Sequence, residues 1–214
     1  MATEAPAPKI TLTAWLKLLQ LAASTGRPQV SNAALMFQGL NVDEINGSQL
    51  DMTQCVSTNQ MCAGCSNLTR IVGTADWGFR HLVNAYGMFS GCTHLREIEG
   101  MGNWNMHNLV CMENMFKDTS LETVDMSHWD LSNLQSAYDC LKGCTMKYWI
   151  CNGAALRTSY RTLSSVGDGD IIEFNRIFTA NSMTCEDSKI YKIDYTQLIG
   201  DGAPTITIVG SLQV

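Results

Sequence analysis

Cys62-Ala-Gly-Cys65 is the first place where residue type and spacing could do chemistry, since Cys-x-x-Cys is the spacing of redox-active thiols and of half a zinc site. Zinc needs a second pair of ligands, and none is spaced to supply it. The histidines, His81, His94, His107 and His128, form no His-x-x-x-His pair with which to hold a metal or share a proton. Asp168, Asp170 and Asp201 stand beside glycines that turn chemistry explains, and they fall short of the six or more oxygens calcium requires. There is no Gly-x-Ser-x-Gly elbow and no phosphate-cradling glycine loop. The expectation is a chain without catalytic residues, metal or cofactor, working by contact.

Composition points the same way. Charged residues make up 16% of 214, against a usual share of about a quarter, so the surface is to be clothed in uncharged polar groups or covered by neighbours. A net charge of −6 without clustered Lys or Arg argues against nucleic-acid binding. The apolar stretch from Ile10 to Ala23 is interrupted by Lys17 and Gln20, and it is too short and polar to span a bilayer. Nor does it have the basic flank of a secretion signal. A soluble chain with no membrane insertion is expected.

The elements that would position any functional surface announce themselves as a repeat. Five anchor pairs recur: Met36-Phe37, Met61-Cys62, Met88-Phe89, Met115-Phe116 and Cys140-Leu141, at spacings of 25, 27, 27 and 25 residues. Each precedes two apolar residues three apart, as in Leu68 and Ile71, Leu95 and Ile98, or Leu121 and Val124. A tryptophan returns at Trp77, Trp104 and Trp129, with a leucine five residues on at Leu82, Leu109 and Leu134. Gly-Cys follows the anchor at Gly64-Cys65, Gly91-Cys92 and Gly143-Cys144, so a buried ladder accounts for the cysteine pair better than redox chemistry does. Cys55, Cys111, Cys151 and Cys185 occupy no repeat slot, which leaves one disulfide among them open.

The stretches MFSGCTHLREIEGMGNWNMHNLVCMENMF and LETVDMSHWDLSNLQSAYDCLKGC resemble the BspA-type leucine-rich repeat. Similar repeats occur in surface proteins of gut and oral bacteria, in protozoan surface proteins and in phages of those bacteria. The resemblance implies adhesion or protein–protein contact, with no catalytic residue to carry over. Three departures stand out: the first repeat lacks its tryptophan and Gly-Cys, the fourth has Asp118-Thr119 in the Gly-Cys slot, and the fifth stops after Ile150.

The fold expected is an α/β solenoid, a leucine-rich repeat of about five coils of 25–27 residues over 33–150. Each coil would pair a short strand with a returning segment of helical spacing, such as Leu134, Ala137, Tyr138 and Leu141. Residues 1–9 read as a flexible or docked arm. Leu12, Trp15, Leu16, Leu19 and Ala23 share one helical face, which predicts a capping helix within 10–32. Residues 151–214 read as a β-rich cap or attachment unit. It would hold a short helix at Leu156, Tyr160 and Leu163 and strands at Ile171 to Phe178, Ile190 to Tyr195 and Pro204 to Val209.

Contact is expected on the exposed strand positions: Arg70, Val72, Glu97, Glu99, Thr123, Asp125, Tyr148 and Ile150. Arg70 and Glu97 would be cross-strand neighbours, and Tyr148 and Ile150 would be apolar anchors where water is expected. The function expected is a structural or adhesion component of a larger assembly, a bacteriophage virion fitting best. The partners would be other virion or surface subunits, possibly including further copies of this chain. The alternative is a scaffold in the bacterial cytoplasm or at the cell surface that binds one protein partner.

Overall fold

The computed structural model describes residues 26–157, 178, 180–199 and 203–212. Seven strands run in chain order: β1 (Glu44–Asn46), β2 (Arg70–Val72), β3 (Glu97–Ile98), β4 (Thr123–Met126), β5 (Tyr148–Asn152), β6 (Lys189–Ile199) and β7 (Ala203–Ser211). They make two small sheets, a three-stranded one ordered β1-β2-β3 and a four-stranded one ordered β4-β5-β6-β7. β1, β2 and β3 are parallel with Ile45 beside Ile71 and Ile71 beside Ile98, while β4 and β5 are parallel with Val124 beside Trp149. β6 then joins β5 antiparallel, and β7 joins β6 antiparallel. A second row of parallel bridges on the other side of the core links Asn32 to Ser57, Asn84, Cys111 and Ser136 in turn.

Between the strands and that row of bridges lies one apolar core. Met61, Met88 and Met115 are fully buried, and successive segments are tied through them: Phe37 N–H donates to the Met61 carbonyl, Cys62 to Met88 and Phe89 to Met115. Trp77, Trp104 and Trp129 stack with ring centroids 5.7 and 5.8 Å apart. Each indole Nε1–H donates to a carbonyl of the segment before it: Trp77 to Gly47 at 2.9 Å, Trp104 to Thr74 at 3.1 Å and Trp129 to Met101 at 2.8 Å. A large apolar ring is thereby buried without stranding its polar atom.

The expected α/β leucine-rich-repeat solenoid does not form. The described residues are mostly sheet and turn, with two 3-10 turns (Gly47–Gln49 and Met101–Asn103), a helical turn at 153–157 and helical backbone at Phe178 and Ala180. The returning segments carry helical apolar spacing, yet each contains left-handed residues that an α-helix excludes. Leu35, Gln60, Gly87, Asn114 and Asp139 all have φ between 51° and 61°. Four residues on, Gly39, Gly64, Gly91, Asp118 and Gly143 have φ between 56° and 73°. Alternate amides in these turns therefore reach across to the next segment instead of back along their own, as Asn114 does to Tyr138, Phe116 to Cys140 and Asp118 to Lys142. Asp118 stands in a glycine slot because aspartate tolerates the left-handed region better than most residues.

The strand ladder is also discontinuous: it lapses between β3 and β4. From Leu95 to Trp104 the chain takes nine steps, and from Leu121 to Trp129 only eight. The extra residue is Gly100, at φ 82°, which ends β3 after Ile98 and starts a 3-10 turn. Lacking it, the fourth segment runs on as a four-residue strand through Met126.

Of the expected capping helix in 10–32, residues up to 25 lie outside the described residues. Gln29 and Asn32 bridge to Asp51 and Ser57 in extended backbone. At the other end Tyr160, Leu163 and nearly all of the strand expected at Ile171 to Phe178 lie outside too, and Phe178 itself is not in a strand. β6 and β7 extend the sheet that β4 and β5 begin.

Candidate interaction face

Strand alternation fixes which side chains meet solvent. In β1 to β3 the isoleucines point inward, so Glu44, Arg70 and Glu97 stand outward in one row. Arg70 and Glu97 are cross-strand partners, as the spacing predicts, but the guanidinium turns the other way: its Nε lies 2.6 Å from Glu44 Oε2. That bond, with the charge of Glu44 behind it, raises the pKa of Arg70. Further along, Glu122 takes two cations, Arg96 at 3.8 Å and Lys147 at 3.6 Å. Glu99 accepts from the Gly73 amide at 3.2 Å, and Asp125 accepts from the Ser127 amide at 2.9 Å. All of these ion pairs are exposed, so each adds little to stability. Their effect is to fix the pattern of charge on the face.

The eight expected contact residues divide in two. Arg70, Glu97 and Glu99 are exposed on the strand face, with Val72, Thr123 and Asp125 half-buried there. Tyr148 and Ile150 are not open apolar anchors, because β6 lies along β5 and sets Asp194 beside Tyr148 and Lys192 beside Ile150. Lys192 Nζ sits 3.7 Å above the Tyr148 ring, a cation–π contact that covers it.

Where the ladder lapses, the face opens into a groove of about 550 Å³ lined by Arg96, Glu97, Ile98, Met101, Glu122, Thr123 and Asp125. The Glu122 amide still donates to the Arg96 carbonyl at 3.1 Å, and past that rung β3 and β4 are not paired. Asp125 leans toward the third segment so closely that a Cβ on Gly102 would meet its carboxylate. Ile98 and Met101, both nearly buried, lie at its floor, and three carboxylates and one guanidinium rim it. Arg96 and Glu122 stand at exposed strand positions, where contact is expected, whereas Ile98 and Met101 were not among the expected contact residues. The one-residue shortening before Trp129 is the sequence signal that locates them.

The groups with reactive potential are occupied elsewhere. All nine cysteines are free thiols, including Cys55, Cys111, Cys151 and Cys185. Burial pushes the Cys62 thiol well up, and the hydrogen bond with Cys65, with burial second, pushes Cys92 up. Cys140 is pushed up to about 12 by burial. The Cys65 and Cys92 sulfurs each lie 3.0 Å from a carbonyl of the preceding segment, Phe37 and Cys62 respectively. His94 Nδ1 lies 2.6 Å from the Ser66 carbonyl, and His107 Nδ1 lies 2.7 Å from Asp130. Among the described residues no three His, Cys, Asp or Glu side chains gather as a metal site, and no helix is long and apolar enough to cross a membrane. Asp168, Asp170 and Asp201 lie outside the described residues.

A family model described as "Mycoplasma protein of unknown function, DUF285" matches residues 29–149. It takes the place of the BspA-type leucine-rich repeat suggested by the quoted stretches, which nothing in the comparisons indicates. No curated protein and no solved structure matches.

Proposed function

The chain belongs to the DUF285 family, and from that premise we propose that it is a non-enzymatic binding component of a larger assembly, meeting a protein partner at the strand face around the β3–β4 groove. One observation carries the reading: the strand ladder lapses between β3 and β4, and the break opens a groove with a charged rim above the nearly buried Ile98 and Met101. A site of that kind can seat a side chain of a partner while charges at its edge select the partner's register. The finer proposal, that the assembly is a bacteriophage virion, draws on the low charge content, which suits a surface covered by neighbouring subunits.

The test is affinity capture from the native source with a photo-crosslinker at Glu97 in place of the glutamate, followed by identification of the attached protein. One dominant partner is expected, and adding Thr123→Arg should abolish the crosslink without changing the melting temperature. A crosslink pattern indifferent to Thr123→Arg overturns the face. For the virion, peptides of this chain should co-purify with particles through a density gradient. Peptides confined to the soluble fraction overturn that placement.

A further inference from the structure

Gly-Cys stands at the same place in the second and third segments, as Gly64-Cys65 and Gly91-Cys92, and the fold sets the two cysteines on neighbouring rungs. Just before them the Cys62 amide donates to the Met88 carbonyl and the Gly64 amide to the Ser90 carbonyl, both at 2.8 Å. A Cβ on Gly91 would lie 3.8 Å from Gly64 Cα. Rungs tied in this way are about 4.8 Å apart, inside the range of about 4.4–6.8 Å that a disulfide spans between Cα atoms. The Cys92 thiol is turned back toward the second segment, 3.0 Å from the Cys62 carbonyl and within hydrogen-bonding reach of the Cys65 sulfur. No such pair follows further on. Thr119 fills the slot in the fourth segment, so Cys144 meets the Thr119 hydroxyl at 3.3 Å instead of a thiol.

The pair also differs from the other cysteines in its chemistry. Of the nine, only Cys65 has its pKa lowered, because the hydrogen bond from Cys92 steadies its thiolate more than burial opposes it. The other eight are raised, with burial the leading cause in all but Cys92. The thiolate is the form that attacks an oxidant. Gly64 and Ser66, on either side of Cys65, are exposed, and a Cβ on Gly64 would meet nothing within 4 Å. Local opening of this one turn brings a molecule as small as hydrogen peroxide to the sulfur.

We propose that Cys65 and Cys92 form a peroxide-oxidised pair, closing into a disulfide that staples the second segment to the third. The Cys65 thiolate attacks one peroxide oxygen and the O–O bond breaks. Hydroxide leaves, takes up the proton that Cys65 lost and becomes water, so that Cys65 is a sulfenic acid. The Cys92 thiol then gives up its proton as its sulfur attacks the Cys65 sulfur. The S–O bond breaks, and the expelled hydroxide takes that proton as a second water. Two thiols and one hydrogen peroxide become one disulfide and two waters. The bond lies five residues ahead of both Arg70 and Glu97, so it fixes the entry to β2 and β3.

Peroxide treatment of the reduced full chain, followed by mass spectrometry of its unreduced peptides, tests this. A Cys65–Cys92 link lighter by two hydrogens is expected, and dithiothreitol should undo it. Cys92→Ser should trap a Cys65 sulfenic acid that dimedone labels, while Cys65→Ser should leave Cys92 unlabelled. The oxidised wild type should melt about 5 °C above the reduced chain, since its unfolded state is now cross-linked. Should either serine variant fail to fold, the wild-type link and its melting shift decide. No link after peroxide, a link through Cys62 in place of Cys65, dimedone on Cys92 in Cys65→Ser, or an oxidised chain that melts no higher than the reduced one each overturns the proposal.

Discussion

The third and fourth segments carry the same landmarks: a leucine, an inward aliphatic, a tryptophan and a second leucine. They differ by one residue. In the third, Leu95 to Trp104, Gly100 turns the chain at φ 82° and the strand is two residues long. In the fourth, Leu121 to Trp129, the glycine is missing and the strand is four residues long. Both tryptophans reach the same depth and stack at 5.8 Å. The core therefore tolerates the change while the strand face does not, because inward side chains are held by packing and the outer rungs by backbone reach alone. The groove is the product of that one-residue mismatch.

The largest effect should come from Gly100→Ala. A Cβ there would lie 2.6 Å from the Ala75 amide nitrogen and 2.8 Å from its Cα, in a conformation that L-residues resist. We expect a loss of about 2–4 kcal/mol in chemical denaturation, the sum of left-handed strain and backbone overlap. Inserting a residue into the fourth segment would sharpen the comparison less, since it has no conformation waiting to receive it. A Gly100→Ala chain as stable as wild type breaks the contrast, because the glycine would then not be what ends β3.

A smaller effect should separate two buried indoles. Trp129 Nε1–H donates to the Met101 carbonyl across the seam at 2.8 Å, whereas Trp149 Nε1 is buried without an acceptor. Trp129→Phe takes one of two donors from the Met101 carbonyl, which keeps the Trp104 amide at 3.2 Å, and should cost about 0.5–1.5 kcal/mol, whereas Trp149→Phe removes an orphaned donor and should be nearly neutral. Equal losses in thermal denaturation would mean that ring volume, not the hydrogen bond, ties the fourth segment to the third.

How much of this was legible in the residues follows from the same pair of segments. The period of the anchors, the inward Leu95, Ile98, Leu121 and Val124, and the cross-strand placing of Arg70 beside Glu97 could be read directly, because burial repeats wherever the backbone repeats. The returning turns could not. Apolar spacing at Leu134, Ala137, Tyr138 and Leu141 is shared by a helix and by a chain of tight turns, and only left-handed residues such as Asn114 and Asp139 separate them. Those positions hold Leu, Gln, Gly, Asn and Asp across the five segments, so no single residue type marks them. The surroundings of Tyr148 and Ile150 could not be read for a different reason: the strand paired beside them lies some forty residues on, and periodicity within the repeat carries no word of it.

The smallest effect is electrostatic and joins the same two segments at their solvent edge. His107, past Trp104, meets Asp130, past Trp129, at 2.7 Å. Burial by itself would raise the Asp130 carboxyl, but the bonds from His107 and Ser132 outweigh it and hold the group below 3.8. A carboxylate depressed in the folded chain contributes stability that is present above its unfolded value, near 3.8, and is lost as pH falls through the lower, folded one. In His107→Gln the Asp130 carboxyl, followed by NMR titration, should move back up, and the acid limb of the stability curve should flatten. Because both side chains are more than half exposed, the change should shrink in high salt. A titration midpoint unmoved by His107→Gln would assign the depression to Ser132 alone, leaving the third and fourth segments joined by core packing and the Glu122 rung.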